Sequence, residues 1–220
     1  MVYSIAFRWT SFTGGEDGLI RLWDVTSPAP LTRVIVPTES VSETDSMILT
    51  PNLALSPDGS LVAATRRTAI TVRDAASGDL AQTLRVAIGV EDLAFSPDGT
   101  TVAAIDAGHV RAWRTSDWTE LTVPGEDDEV DKAIPATGGD LIVARRDRIE
   151  RIACTSGRST TRILDVNEGA ERVTALALSL DGNQLAVASS DGVNAQVRLI
   201  DLAKGSTAQL PVTNSVQDID

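Results

Sequence analysis

Few residues in this chain have the chemistry of a catalyst. Its 220 residues include one histidine, His109, and one cysteine, Cys154. A Ser-His-Asp or Cys-His arrangement would rest on His109 alone, and no Gly-x-Ser-x-Gly turn accompanies it. His109 follows Ala107-Gly108 at the head of an apolar run, so an exposed turn residue is expected there. A general base or a ligand is the other role open to it. One cysteine rules out an intrachain disulfide, and the His/Cys count rules out a zinc cluster of the usual kind. The acidic run Glu126-Asp127-Asp128-Glu129-Val130-Asp131 offers carboxylates to calcium or to a basic partner. A calcium loop opening at Asp127 would require Gly and Glu where the chain has Lys132 and Gly138, so a solvated loop is expected. Gly14-Gly15 and Gly138-Gly139 precede no helical pattern, which removes a phosphate cradle. The expectation is a chain without cofactor, metal or enzymatic activity.

Two basic pairs, Arg66-Arg67 and Arg145-Arg146, stand at matched places, each after an apolar run. What positions them is a repeat. Leu93-Ala94-Phe95-Ser96-Pro97-Asp98-Gly99-Thr100-Thr101-Val102-Ala103-Ala104 is nearly the same text as Leu53 to Ala64. Leu176 to Ala188 is a third copy, and Ala136 to Ala144 a worn fourth. In Ser-Pro-Asp-Gly, proline presets φ near −65°, aspartate bonds nearby backbone, and glycine accepts the positive φ of a tight turn. The turn glycines Gly59, Gly99, Gly139 and Gly182 recur at spacings of 40, 40 and 43 residues. A period of ~40–45 residues holding four strands predicts β-propeller blades rather than a helical solenoid.

Composition narrows the partners. Hydrophobic residues make up 42% of the chain, enough for a packed core, while the net charge is −12. Such a balance disfavours nucleic acid and anionic membrane and favours basic partners. No stretch has the length of a membrane span, and the N-terminus lacks the pattern of a signal peptide. With a lone cysteine, a cytoplasmic setting is expected.

The first blade carries a further signature. Phe12-Thr13-Gly14-Gly15-Glu16-Asp17-Gly18-Leu19-Ile20-Arg21-Leu22-Trp23-Asp24 leads from an Asp-Gly turn into Ile-Arg-Leu-Trp-Asp. This resembles the WD-repeat β-propellers, whose third strands end in Trp-Asp, and the Ala-, Arg- and Asp-rich wording is similar to bacterial members. Ile70 to Asp74 keeps the aspartate with Arg73 at the tryptophan place. Val110 to Arg114 keeps Trp113, and Val197 to Asp201 keeps the aspartate after a Ser190-Asp191-Gly192 turn. Ile149 to Ala153 is degenerate. The resemblance implies that Thr13, Asp17 and Trp23 form a hydrogen-bond chain within their blade, without the histidine that usually completes it. It implies structural roles for Asp24, Asp74, Trp113, Asp191 and Asp201. It also implies that the loops between strands two and three, with the leading ends of the first strands, bind partners. Those positions are Tyr3, Arg66, Arg67, Glu91, Arg145, Arg146 and Thr174. Ordinary surface charge is the plain alternative for them. Trp118 and Trp9 fall outside the blade register.

The fold class expected is therefore all-β: a partial or open propeller of about five four-stranded blades. The blades span approximately residues 1–45, 46–86, 87–125, 126–167 and 168–212, and residues 213–220 begin another. Three states follow: part of a longer propeller, an arc completed by a second chain, or a five-bladed closure. The expected function is a non-catalytic scaffold for a protein or peptide, within a larger bacterial signalling or regulatory protein. The alternatives are a propeller enzyme, such as a lactonase or a peptidase-associated propeller, and a truncated remnant without a role of its own.

Overall fold

A computed structural model describes residues 2–6, 10–15, 20–24, 31–35, 52–66, 68–87, 89–124, 129–154, 160–166, 172–192 and 194–211. Among them, five four-stranded sheets are formed, each a simple meander of neighbours in sequence, and each is called a blade below. Blade one is β1 (Val2–Ala6), β2 (Thr10–Gly15), β3 (Ile20–Asp24) and β4 (Leu31–Ile35). Blade two is β5 (Leu53–Leu55), β6 (Leu61–Arg66), β7 (Ala69–Asp74) and β8 (Leu80–Arg85). Blade three is β9 (Val90–Phe95), β10 (Thr101–Asp106), β11 (His109–Arg114) and β12 (Glu120–Leu121). Blade four is β13 (Val130–Pro135), β14 (Asp140–Arg145), β15 (Arg148–Ala153) and β16 (Thr160–Asp165). Blade five is β17 (Arg172–Leu178), β18 (Gln184–Ser190), β19 (Ala195–Asp201) and β20 (Ser206–Leu210). The sixth-blade segment expected from Val216 lies outside the described residues, as do Trp9, Asp17, Arg67 and Glu126 to Asp128.

The chain packs as two units, Met1–Ala94 and Phe95–Asp220, with the division inside β9. In the first, Leu53, Val62, Ala64 and Ala75 pack together. In the second, blade four separates two apolar layers. Leu141 and Val143 join Ala103, Ile105 and Ala112 of blade three on one side. Ile142 and Ala144 join Leu185 and Val187 of blade five on the other. Alternate residues of one strand thus serve opposite faces, which is why second strands read as unbroken apolar runs. Among the outer strands, β20 is exposed throughout, and β8 and β16 are mostly exposed.

The repeated turn folds as its residues dictate. Ser56 N–H donates to Leu61 O, and Gly59 N–H to Ser56 O, both at 2.9 Å. The same pair of bonds recurs at Ser96/Thr101 with Gly99, and at Ser179/Gln184 with Gly182. Gly59, Gly99 and Gly182 have φ of 76°, 71° and 72°, a region that a side chain would strain. In each turn the serine hydroxyl donates to the aspartate, at 2.6, 2.7 and 2.5 Å for Asp58, Asp98 and Asp181. Blade four lacks that aspartate and makes a single 3₁₀ turn, Thr137–Gly139, instead.

The aspartate closing a third strand caps the turn that follows. Asp74 Oδ1 accepts Ser77 N–H at 2.6 Å, and Asp201 Oδ1 accepts Lys204 N–H at 3.0 Å. Blade three has Arg114 there, and Asp117 takes over, accepting Thr119 N–H while holding Arg114. Trp113 is buried, whereas Trp23 is half-buried. Arg73, in the tryptophan place of blade two, is buried too, with its guanidinium donating to Gly78 O at 3.0 Å.

Candidate partner-binding face

An antiparallel four-stranded meander sorts its connections by end. The turns between strands one and two, and between three and four, share one end. The turn between strands two and three shares the other with the leading end of the first strand. Register therefore brings Arg66, Arg146 and Thr174 to this second end of their blades, together with Tyr3 and Glu91. The side chains of Tyr3, Thr13, Asp24 and Arg66 lie outside the described part of the structure. Thr13 pairs with Arg21 across the ladder, while Ser11 is opposite Trp23.

Backbone shape makes the leading ends distinctive. Register shifts between Val2 and Ser4, between Val130 and Lys132, and between Val173 and Ala175. In blades one, four and five the shift thus falls at Tyr3, Asp131 and Thr174. A bulge re-aims the side chain it carries, and such bulges gather near working surfaces. Asp131 was legible in the sequence only as part of an acidic loop. Its alignment with Glu91 is visible in hindsight, since Val130-Asp131-Lys132-Ala133 stands 40 residues after Val90-Glu91-Asp92-Leu93.

Neighbouring leading ends are tied within each unit. Asn52 donates its Nδ2 to Val90 O at 2.9 Å, and its N–H to Thr65 Oγ1 at 2.8 Å. Val130 N–H donates to Gly108 O, which sits in the turn between β10 and β11, at 3.1 Å. In that turn Ala107 and Gly108 both have positive φ, 53° and 78°, the backbone of a tight hairpin matched to strand twist. His109 is the exposed residue that follows, opposite Asp106.

One expected contact residue lies elsewhere. Arg145 is 3% exposed, so it sits beneath this end and not on it. It is the last residue of β14 on the side that packs toward blade three, and its charge is met by Glu150 at 3.6 Å. Glu150 also pairs with Arg148 at 2.9 Å. The equivalent position of blade three holds the opposite sign: Asp106, 5% exposed, lies 3.5 Å from Arg111. Arg111 in turn grips Glu120 at 2.7 Å and lies over the Trp113 ring at 5.1 Å. Arg146 is exposed on the turn, Glu91 and Arg172 are exposed on their strands, and Thr174 is half-buried.

Asp131 differs from the other carboxylates. Burial pushes its carboxyl up from the ordinary value; Glu129 adds to this, and Arg172, Arg146 and Lys132 oppose it. Its Oδ2 is buried without a hydrogen-bond partner. Cys154 is half-buried, and burial with the nearby Asp140 raises its thiol to about 11, which disfavours the thiolate at neutral pH. Among the described residues, no group of three or more His, Cys, Asp or Glu is arranged to hold a metal ion. Nor is any helix there long and apolar enough to cross a membrane.

Comparison with known proteins gives a fold and no family. No protein-family model matches the chain, and no curated protein matches it. Solved structures do. Hydrazine synthase of Kuenenia stuttgartiensis aligns with 96% of the chain at TM-score 0.70 and 16% identity. The β-propeller domain of Myceliophteria thermophila Cps50 (Swd1) aligns with 91% at 0.67 and 16%. A component of the mitotic checkpoint complex aligns with 87% at 0.63 and 19%. The fold is that of a β-propeller. The chain spans 66%, 65% and 60% of those three chains, respectively. At such identities the likeness is one of blade architecture, and it carries no activity across.

Proposed function

We propose that this chain is a non-catalytic interaction scaffold of WD-repeat type, docking a protein or peptide at the leading ends of its blades, which carry Tyr3 and Glu91 in the first unit and Asp131, Arg146 and Thr174 in the second. The observation behind this reading is the recurring bulge, which gives three blades the same backbone and a different side chain at Tyr3, Asp131 and Thr174. A constant frame with variable chemistry suits recognition, because strands are committed to packing and loops remain free to vary. The likeness to a component of the mitotic checkpoint complex supports a protein partner. Net charge favours a basic partner overall, and the repeat wording a place in a larger bacterial regulatory protein in the cytoplasm.

The test is selection of binding peptides from a displayed random library, followed by mapping. Binders to the second unit should be lost with Thr174→Arg and kept with Lys204→Glu at the opposite end of the same blade. Binders that map to the Lys204 end, or no binder at all, would count against the reading.

The likeness to hydrazine synthase favours a second reading, a propeller serving within an enzyme. Turnover of a lactone and ester panel, with and without divalent metal, separates the two. Activity lost with Asp131→Asn would establish the catalytic reading.

A further inference from the structure

Two polar atoms on the neighbouring blades four and five are buried without a hydrogen-bond partner. One is Asp131 Oδ2 on the bulge of β13, and the other is Ser189 Oγ on β18. Ser189 is 2% exposed. Leu185 and Val187 pack against Ile142, Ala144 and Ile149 of blade four, and strand alternation turns Ser189 to that same side. Ser189 pairs with Val173, next to the bulged Thr174, so it lies at the same end of its blade as Asp131 does of blade four. A buried polar atom left unpaired costs roughly 1–3 kcal/mol, and such atoms usually mark a place where something binds or a water sits.

The surrounding charges select the occupant. The charges that act on Asp131 are those of Glu129 just before its strand, Lys132 on it, Arg146 in the β14–β15 turn and Arg172 at the start of β17. Three cations already act on the carboxylate, so a further cation meets repulsion. An anion meets Asp131 and Glu129. A neutral group that both donates and accepts satisfies every member: its N–H can serve Asp131, and its carbonyl can take donors from Arg146, Arg172 or Ser189. A carboxamide has that pattern.

We propose that Asp131 and Ser189, with Arg146 and Arg172 at the rim, form a subsite for a carboxamide side chain, asparagine or glutamine, of a bound peptide. The inference rests on the reading of this end as the partner face and names the chemistry it takes there. The carboxylate supplies a charge-assisted acceptor, stronger than a neutral one, and the arginines fix the orientation of the amide plane.

Three probes with one carbon skeleton test it: propionamide, propionate and propylammonium, titrated into the isotopically labelled full chain at fixed ionic strength. Propionamide should shift the Asp131 carboxyl carbon and the Arg146 and Arg172 side-chain signals, and should bind about tenfold tighter than either charged probe. Asp131→Asn should weaken it about tenfold, the difference between a charged and a neutral acceptor. Ser189→Ala should weaken it several-fold, and Asp58→Asn at the opposite end should leave it unchanged. Spectra of each variant check folding, and Ser189→Ala keeps the test open should the Asp131 variant fail. Preference for propylammonium or for propionate overturns the proposal, as does silence to all three, which would leave water as the only partner. A chain whose selected peptides depend on Thr174 yet ignores propionamide overturns this subsite and leaves the scaffold reading standing.

Discussion

Asp98 in blade three reaches Gly138 in blade four: its Oδ2 accepts the Gly138 N–H at 2.7 Å across 40 residues of sequence. The separation is one repeat. The same carboxylate also accepts Ser96 and Thr100 hydroxyls at 2.7 and 2.8 Å, so one side chain shapes its own turn and pins the next. Further along the same unit, Thr137 takes up the approach to Gly182, where an added Cβ would meet its Cγ2 at 3.3 Å. Replacing Asp98 with alanine should cost about 1–2 kcal/mol, since four bonds to a charged acceptor are lost in a partly exposed place. Asp58→Ala should cost less, because Asp58 bonds only within its own turn. Chemical denaturation midpoints of the two variants decide this.

Acid should act through these turns. Burial raises the Asp98 carboxyl, but bonds from Ser96, Gly138 and Thr100 outweigh it and hold it below its ordinary value of 3.8. The Ser56 hydroxyl and then Ser60 lower Asp58, and Ser179 and then Asn183 lower Asp181. A carboxyl lowered in the folded state stabilises fully above its unfolded value and loses that contribution as pH falls through the folded one. Thermal melts should therefore hold steady down to about pH 4 and fall below it. In Asp98→Asn that acid-side fall should be shallower.

Asp131 has the opposite sign. Its folded carboxyl is raised by burial, so the charged form is disfavoured above that value and the penalty disappears below the ordinary 3.8. Asp131→Asn should raise the melting temperature at neutral pH, by on the order of 1 kcal/mol in stability. The gain should shrink as pH falls through the raised value. A variant less stable than the parent at pH 7 would show that the carboxylate is held by more than its surroundings reveal.

Blade five carries the same turn as blades two and three with one change, Leu180 in the proline place. Leu180 is 74% exposed. The surrounding bonds, Ser179 N–H to Gln184 O and Gly182 N–H to Ser179 O, match those around Pro57 and Pro97. Leu180→Pro should stabilise by about 0.4–1 kcal/mol, by restricting the unfolded chain where the native backbone already suits proline. It also removes an exposed apolar side chain. A differential scan of the single variant is sufficient.

The buried ion pair of blade four should be sensitive to the loss of one partner. Arg145 and Glu150 are 4% and 13% exposed at their side chains, 3.6 Å apart. Glu150→Gln leaves a buried guanidinium with a neutral partner and leaves Arg148 with Asp147 at 2.7 Å, so a loss of roughly 3 kcal/mol is expected, at the lower edge for broken buried pairs. Equilibrium unfolding in urea measures it. Leu141→Ala, in the apolar layer beside it, should cost about 2–5 kcal/mol by leaving a cavity.

Much of this molecule could be read from spacing. Ser-Pro-Asp-Gly, the alternation of apolar residues and a constant period are local properties, and local backbone preference suffices to make hairpins from them. The turn aspartates and the positive-φ glycines required nothing further. What needed three dimensions was which atom meets which neighbour. Arg145 and Arg146 are adjacent in sequence and similar in type, yet one is buried against Glu150 and the other lies on an exposed turn, because a strand's last residue still faces a packed layer. Asp131 reads as one more acid in an acidic run until a bulge, set by pairing with β14, removes it from the ladder. Burial and bulges arise from packing between strands far apart in the chain. Composition and period therefore determined the blades, and only the tertiary structure decided which charged groups remain on the surface to meet a partner.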